Sequence, residues 1–110
     1  MKFDRVIGSA ASAYDHLFVI HRLKDGTPCI AGSSSRHASK DKPSVFVLSP
    51  EGGRTKTHPW GDPESCLYEV HPGDYIAAFA PDGINGSLVL YSLVVVTIGD
   101  RYVFTAPTTH

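Results

Sequence analysis

The sequence predicts an all-β domain, and three features carry that expectation. Apolar side chains recur at every second position along most of the chain. No stretch of a dozen residues keeps an i, i+3, i+4 apolar stripe. Turn-forming Gly, Pro, Asn and Asp fall between the alternating runs. With 110 residues, 42% hydrophobic and 19% charged, the chain is one domain with enough apolar content to bury a core.

Eight runs follow in order: residues 3–7, 16–23, 28–32, 44–49, 66–71, 74–80, 87–98 and 101–105. In the second, Leu17, Val19, His21 and Leu23 share one face and Phe18, Ile20 and Arg22 the other. The fifth alternates Cys66, Tyr68 and Val70 with Leu67, Glu69 and His71, and the sixth alternates Tyr75, Ala77 and Phe79 with Ile76, Ala78 and Ala80. The run 87–98 is long, β-branched and apolar on both faces, which predicts a central strand bent near Ser92. The segment 8–13, GSAASA, reads as a loop.

The punctuation agrees. Lys24-Asp25-Gly26-Thr27 reads as a hairpin turn, and Gly99-Asp100 as a two-residue hairpin loop. His71-Pro72-Gly73-Asp74 carries Pro then Gly at its centre, the type II pattern. Short strands at this spacing predict an antiparallel two-layer β-sandwich or jelly roll of about seven to eight strands, spanning 1–110 as a single domain.

Charge narrows the function classes. Ten Lys and Arg stand against eleven Asp and Glu, so the basic excess of a general nucleic-acid binder is missing. Charges interrupt Met1-Lys2-Phe3-Asp4-Arg5 before an apolar leader forms, and the longest apolar run, Leu93-Val94-Val95-Val96, is far too short for a membrane span. A cytoplasmic chain without membrane association is expected. Cys29 and Cys66 form no Cys-x-x-Cys pair and read as buried reduced thiols, with a bridge open only if two strands set them face to face.

Two loops exceed ordinary connectors: residues 32–43, GSSSRHASKDKP, and 50–65, PEGGRTKTHPWGDPES. If each strand crosses the domain once, successive loops alternate between its ends, and these two lie at opposite ends. The Trp60 loop then neighbours residues 81–86. That end collects His58, Trp60, Asp62, Asp82 and Asn85, a candidate ligand or partner site. The other collects Arg36, His37, Lys40 and Lys42, a candidate anion or acidic-partner loop.

Trp60, the only tryptophan, sits between Pro59 and Pro63 with Asp62 and Glu64 nearby. It serves either as a plug over the core or as a rigid platform for a sugar ring or partner. Asp82-Gly83 and Asn85-Gly86 form turns, and their spacing is not that of a calcium loop. His16 and His21, five apart, point to opposite faces of a strand, so no zinc set is expected. No Gly-x-Ser-x-Gly elbow, patterned Cys–His pair or phosphate loop is present.

Val70-His71-Pro72-Gly73-Asp74-Tyr75 resembles the Pro-Gly-x-Tyr strand entry of immunoglobulin-like and fibronectin-like modules, and also the Pro-Gly-Asp turn of cupin barrels. The immunoglobulin resemblance lacks the buried strand tryptophan and the paired cysteines. The cupin resemblance implies metal-dependent chemistry at His16, His21 or His71, but lacks a His-x-His with a following Glu. The expectation is therefore a non-catalytic binding or assembly module without cofactor or metal. It acts through end loops or a sheet edge on a protein partner, as a phage or viral accessory protein does, and forms a homo-oligomer through residues 87–98. A lectin-like carbohydrate-binding module using the Trp60 loop and a cupin-like metal-dependent protein are the alternatives.

Overall fold

The computed structural model describes residues 18–33, 38, 42–81 and 88–107. It holds eight strands: β1 (Ile20–Arg22), β2 (Pro28–Ser33), β3 (Ser44–Leu48), β4 (Thr57–Pro59), β5 (Ser65–Glu69), β6 (Tyr75–Pro81), β7 (Leu88–Ile98) and β8 (Arg101–Thr105). No helix occurs among the described residues. The run expected at 3–7 and the loop at 8–13 lie outside them.

The strands form one sheet in the order β4-β5-β2-β3-β6-β7-β8, with β1 also paired to β2. Every pairing is antiparallel except β2–β3, which run parallel and meet only at Ser33 and Ser44. That narrow junction splits the sheet into two antiparallel halves: β4, β5, β2 and β1, and β3, β6, β7 and β8. One core draws on both. Phe18, Ile20, Ile30, Tyr68 and Val70 of the first meet Val45, Val47, Ile76, Tyr91, Leu93, Val95 and Phe104 of the second. Phe18 and Tyr91 rings lie 5.4 Å apart, and the Arg22 guanidinium sits 5.4 Å from the centre of the Tyr102 ring.

The turns follow their sequences. Gly73 takes φ 92° at the third position of His71-Pro72-Gly73-Asp74, and the Asp74 N–H donates to the His71 carbonyl at 3.0 Å. Buried Asp74 also accepts the His71 N–H at 2.9 Å, while the Gly73 N–H donates to the Val95 carbonyl. The type II turn is thereby fastened to β7. Gly99 has φ 65° and Ile98 pairs with Arg101, so two residues close the last hairpin. β7, eleven residues long, is an inner strand between β6 and β8, one place from the sheet edge rather than at its centre.

The loop expected at 50–65 is more structured than its composition suggests. A turn at Ser49 returns the chain so that the Thr55 N–H donates to the Val47 carbonyl, and the Glu69 N–H donates to the Lys56 carbonyl. Residues 54–56 thus tie β3 to β5, and β4 adds an edge to β5. β4 escapes sequence detection because it is short, polar and ends in proline, which an edge strand tolerates. With β4 present and β2 parallel to β3, the alternation of loop ends fails. The two long loops do not lie at opposite ends: Lys42 of the first forms an ion pair with Asp62 of the second.

Gly32 sits at the junction. A Cβ there would stand 2.5 Å from Val45 Cγ2 and 3.1 Å from the Pro43 carbonyl oxygen. Both neighbours are buried, so relief requires the strands to separate. Gly32→Ala is expected to destabilise the fold by about 1–3 kcal/mol in urea unfolding. Gly53→Ala, whose Cβ would meet only Ser49 Oγ at 3.5 Å, should change stability by about 0.5 kcal/mol or less.

Candidate functional site

Of the five residues expected to build a site at the Trp60 end, three are described. Asp82 and Asn85 lie outside the described residues. Trp60 is 39% exposed and is no plug for the core. Its ring lies 5.3 Å from that of His21 on β1, across the outer face of the first half of the sheet. Partial burial lowers the pKa of His21, favouring the neutral ring.

His58 donates from Nε2 to Glu69 Oε2 at 2.6 Å. His71 places its Nε2 3.3 Å from Glu69 Oε1. A carboxylate between two imidazoles accepts from both. The register explains the meeting: His58 pairs with Leu67, and Glu69 and His71 follow at two-residue steps on the same face. Beneath them Cys29, Ala31 and Leu67 form a small buried cluster against Leu23. Burial, with Glu69 and Asp25 nearby, pushes the Cys29 thiol up to about 11, so it is a poor nucleophile at neutral pH. Cys29 and Cys66 are free thiols. They lie on opposite faces, because Cys29 pairs with Glu69 and Cys66 with Gly32 three residues along β2, and no bridge spans that offset.

Asp62 is occupied by protein groups. It binds Lys42, accepts from Ser65 Oγ at 3.0 Å and accepts the Glu64 N–H at 3.0 Å. The Lys42 ammonium and the Ser65 hydroxyl hold its carboxyl below the usual range. Lys42 therefore fastens the two long loops together and is already paired. Arg36, His37 and Lys40, its companions in the expected anion loop, lie outside the described residues, as does His16. His21 and His71, expected as metal ligands in the cupin alternative, are engaged with Trp60 and Glu69 respectively. Among the described residues no group of three or more His, Cys, Asp or Glu side chains is arranged to hold a metal ion.

Where β2 and β3 part, a cleft of about 200 Å³ opens between β3 and the β4–β5 pair, with Ser44, Arg54, Thr57, Cys66 and Tyr68 among its walls. Arg54 reaches across Phe46, its guanidinium carbon 5.2 Å from the ring centre.

An unexplained apolar surface lies on the second half of the sheet. Phe46, Leu48, Tyr75, Phe79, Leu88, Leu90 and Ile98 are between 37% and 58% exposed. The register places all seven on the face opposite the core: Phe46 pairs with Ala77, Leu48 with Tyr75, Phe79 with Leu90 and Leu88 with Pro81. The sequence directs attention to end loops, a sheet edge and the 87–98 strand rather than to a sheet face spanning β3, β6 and β7. The signal was present in residues 44–48, 75–80 and 88–98, where both parities are apolar and period two assigns one parity to a core and leaves the other uncovered.

The chain matches no protein-family model, no curated protein and no solved structure. No described helix is long and apolar enough to cross a membrane.

The Glu69 cluster makes a pH prediction. His58, aided by His71, holds the Glu69 carboxyl below its ordinary 4.5 despite partial burial. A depressed folded pKa contributes stability that is complete above the unfolded value and is lost as pH falls through the folded one. Glu69→Gln should therefore cost up to about 1 kcal/mol at neutral pH, since solvent reaches the pair. The gap between variant and wild type should close below pH 4.5 in urea titrations.

Proposed function

We propose that the chain is a non-catalytic binding and assembly module that docks on a protein surface through the outer face of β3, β6 and β7. The observation that carries this reading is the set of seven large apolar side chains on that one face. A solvated antiparallel sheet normally turns polar residues outward, and contiguous apolar patches of this size mark interaction sites. The docking surface is thus a sheet face rather than the end loops or sheet edge that the sequence favours. We place the two halves of the sheet as the two layers of a sandwich, because one core takes residues from both. A non-catalytic role accords with the side chains at the other surfaces. His58 and His71 are spent on Glu69, Asp62 on Lys42, and the Cys29 thiol is buried with a raised pKa. A partner-docking accessory protein in a cytoplasmic setting, of the kind phages and viruses encode, fits this description.

A photo-crosslinking residue at Leu90 should yield an adduct with another polypeptide, whereas the same residue at exposed Glu51 should not. Equal yields at both positions would remove the face as a docking surface.

The exposed Trp60 ring favours a second reading, a lectin-like site in which a sugar stacks on Trp60 beside His21. Trp60→Ala should then abolish glycan binding while leaving the circular dichroism unchanged. No binding by the wild type across a broad glycan array would end this reading.

A further inference from the structure

We infer that the occupant of the β3–β6–β7 face is a second copy of the same chain, packed sheet on sheet. This inference rests on the docking reading above and names its partner. The exposed parts of the seven side chains amount to apolar surface on the order of 600 Å², the upper end for a monomer's largest patch. Paired with itself, the patch buries on the order of 1,200 Å², which reaches the range of specific protein interfaces.

The chemistry of the face suits its own copy. The pairs Phe46–Ala77–Ser92 and Phe79–Leu90 that cross it contain no charged residue. An isologous contact sets the same patch on both sides, so an uncharged apolar surface satisfies both partners at once. The charged residues tied to the face stand at opposite margins: Arg54 over Phe46 on the β3 side, and Arg101 paired with Ile98 on β8. Two separated arginines on a chain of formal charge −1 do not form the basic cluster that an anionic lipid surface recruits. Small Ala77 and Ser92 lie between Phe79 and Leu90 on one side and Tyr75 and Val94 on the other. The face therefore has a low middle that opposing bulky side chains can enter, as in the interdigitated layers of packed sheets.

Sedimentation equilibrium over a wide concentration range tests the inference. The wild type should show twice the 11.9 kDa chain mass. Leu90→Lys and Ala77→Arg should each halve it, with unchanged far-ultraviolet circular dichroism; Leu90→Ser serves as a milder variant if charge disturbs folding. A wild type of single-chain mass at every concentration overturns the second copy. If that monomer still crosslinks through Leu90 to a different protein, the second copy falls while docking through the face stands; co-sedimentation with phosphatidylserine vesicles instead overturns both. A dimer that survives all three substitutions forms elsewhere and overturns the inference, while the crosslinking yields at Leu90 and Glu51 decide the face.

Discussion

The fold depends on one close approach between two strands that hardly pair. β2 and β3 run parallel and pair only where Ser33 meets Ser44, with the Ser33 N–H donating to the Pro43 carbonyl at 2.9 Å. Gly32 makes this possible, because any side chain there would collide with Val45. From this contact the strands diverge, and each half of the sheet builds outward by antiparallel pairing. Further ties cross between the halves at a distance. The Thr55 and Glu69 N–H groups fasten the 54–56 segment to β3 and β5, and the His71–Asp74 turn joins β5 to β7. Across this narrow junction one core cluster takes residues from both halves.

That arrangement gives the outer faces opposite characters. On the first half, the few apolar outer residues, Cys29, Ala31 and Leu67, are small or few enough for Leu23 to pack against them. His58, Glu69 and His71 cross the same face as a polar band. On the second half, β6 and β7 put Phe79, Leu88 and Leu90 outward without any such band. Burying a side chain of this size is worth about 1.5–3 kcal/mol, so the second face holds a large unspent driving force for association.

Much of the architecture is legible in the sequence because period two and turn chemistry are local signals. Pro72-Gly73 requires the positive φ that Gly73 adopts, and the 87–98 run is long and apolar enough to fix an inner strand. The expected end-to-end alternation of loops failed for a non-local reason. A parallel neighbour for β2 and a polar edge strand at Thr57–Pro59 leave no periodic trace, yet together they bring Lys42 to Asp62. The candidate site was less legible. The sequence singled out Trp60 and His58, but the partners that fix them, His21 on β1 and Glu69 on β5, come from other strands. Asp62 looks like a ligand-binding carboxylate in isolation and is a loop fastener in the fold.

β7 shows why an exposed apolar face is harder to read than a core. Tyr91, Leu93 and Val95 face inward and are buried, while Leu88, Leu90 and Ile98 face outward and are exposed. In the sequence the two sets are equivalent, since the hydrophobic effect is non-directional and scales with area whether the cover comes from the same chain or another. A strand apolar on both faces therefore predicts two layers of cover without saying which molecule supplies the second. In this chain the inward residues of β7 join one core cluster with residues of the first half of the sheet. On the outer face Leu88, Leu90 and Ile98 stay exposed, and that difference, visible only once the strands are paired, is what motivates reading the face as a docking surface.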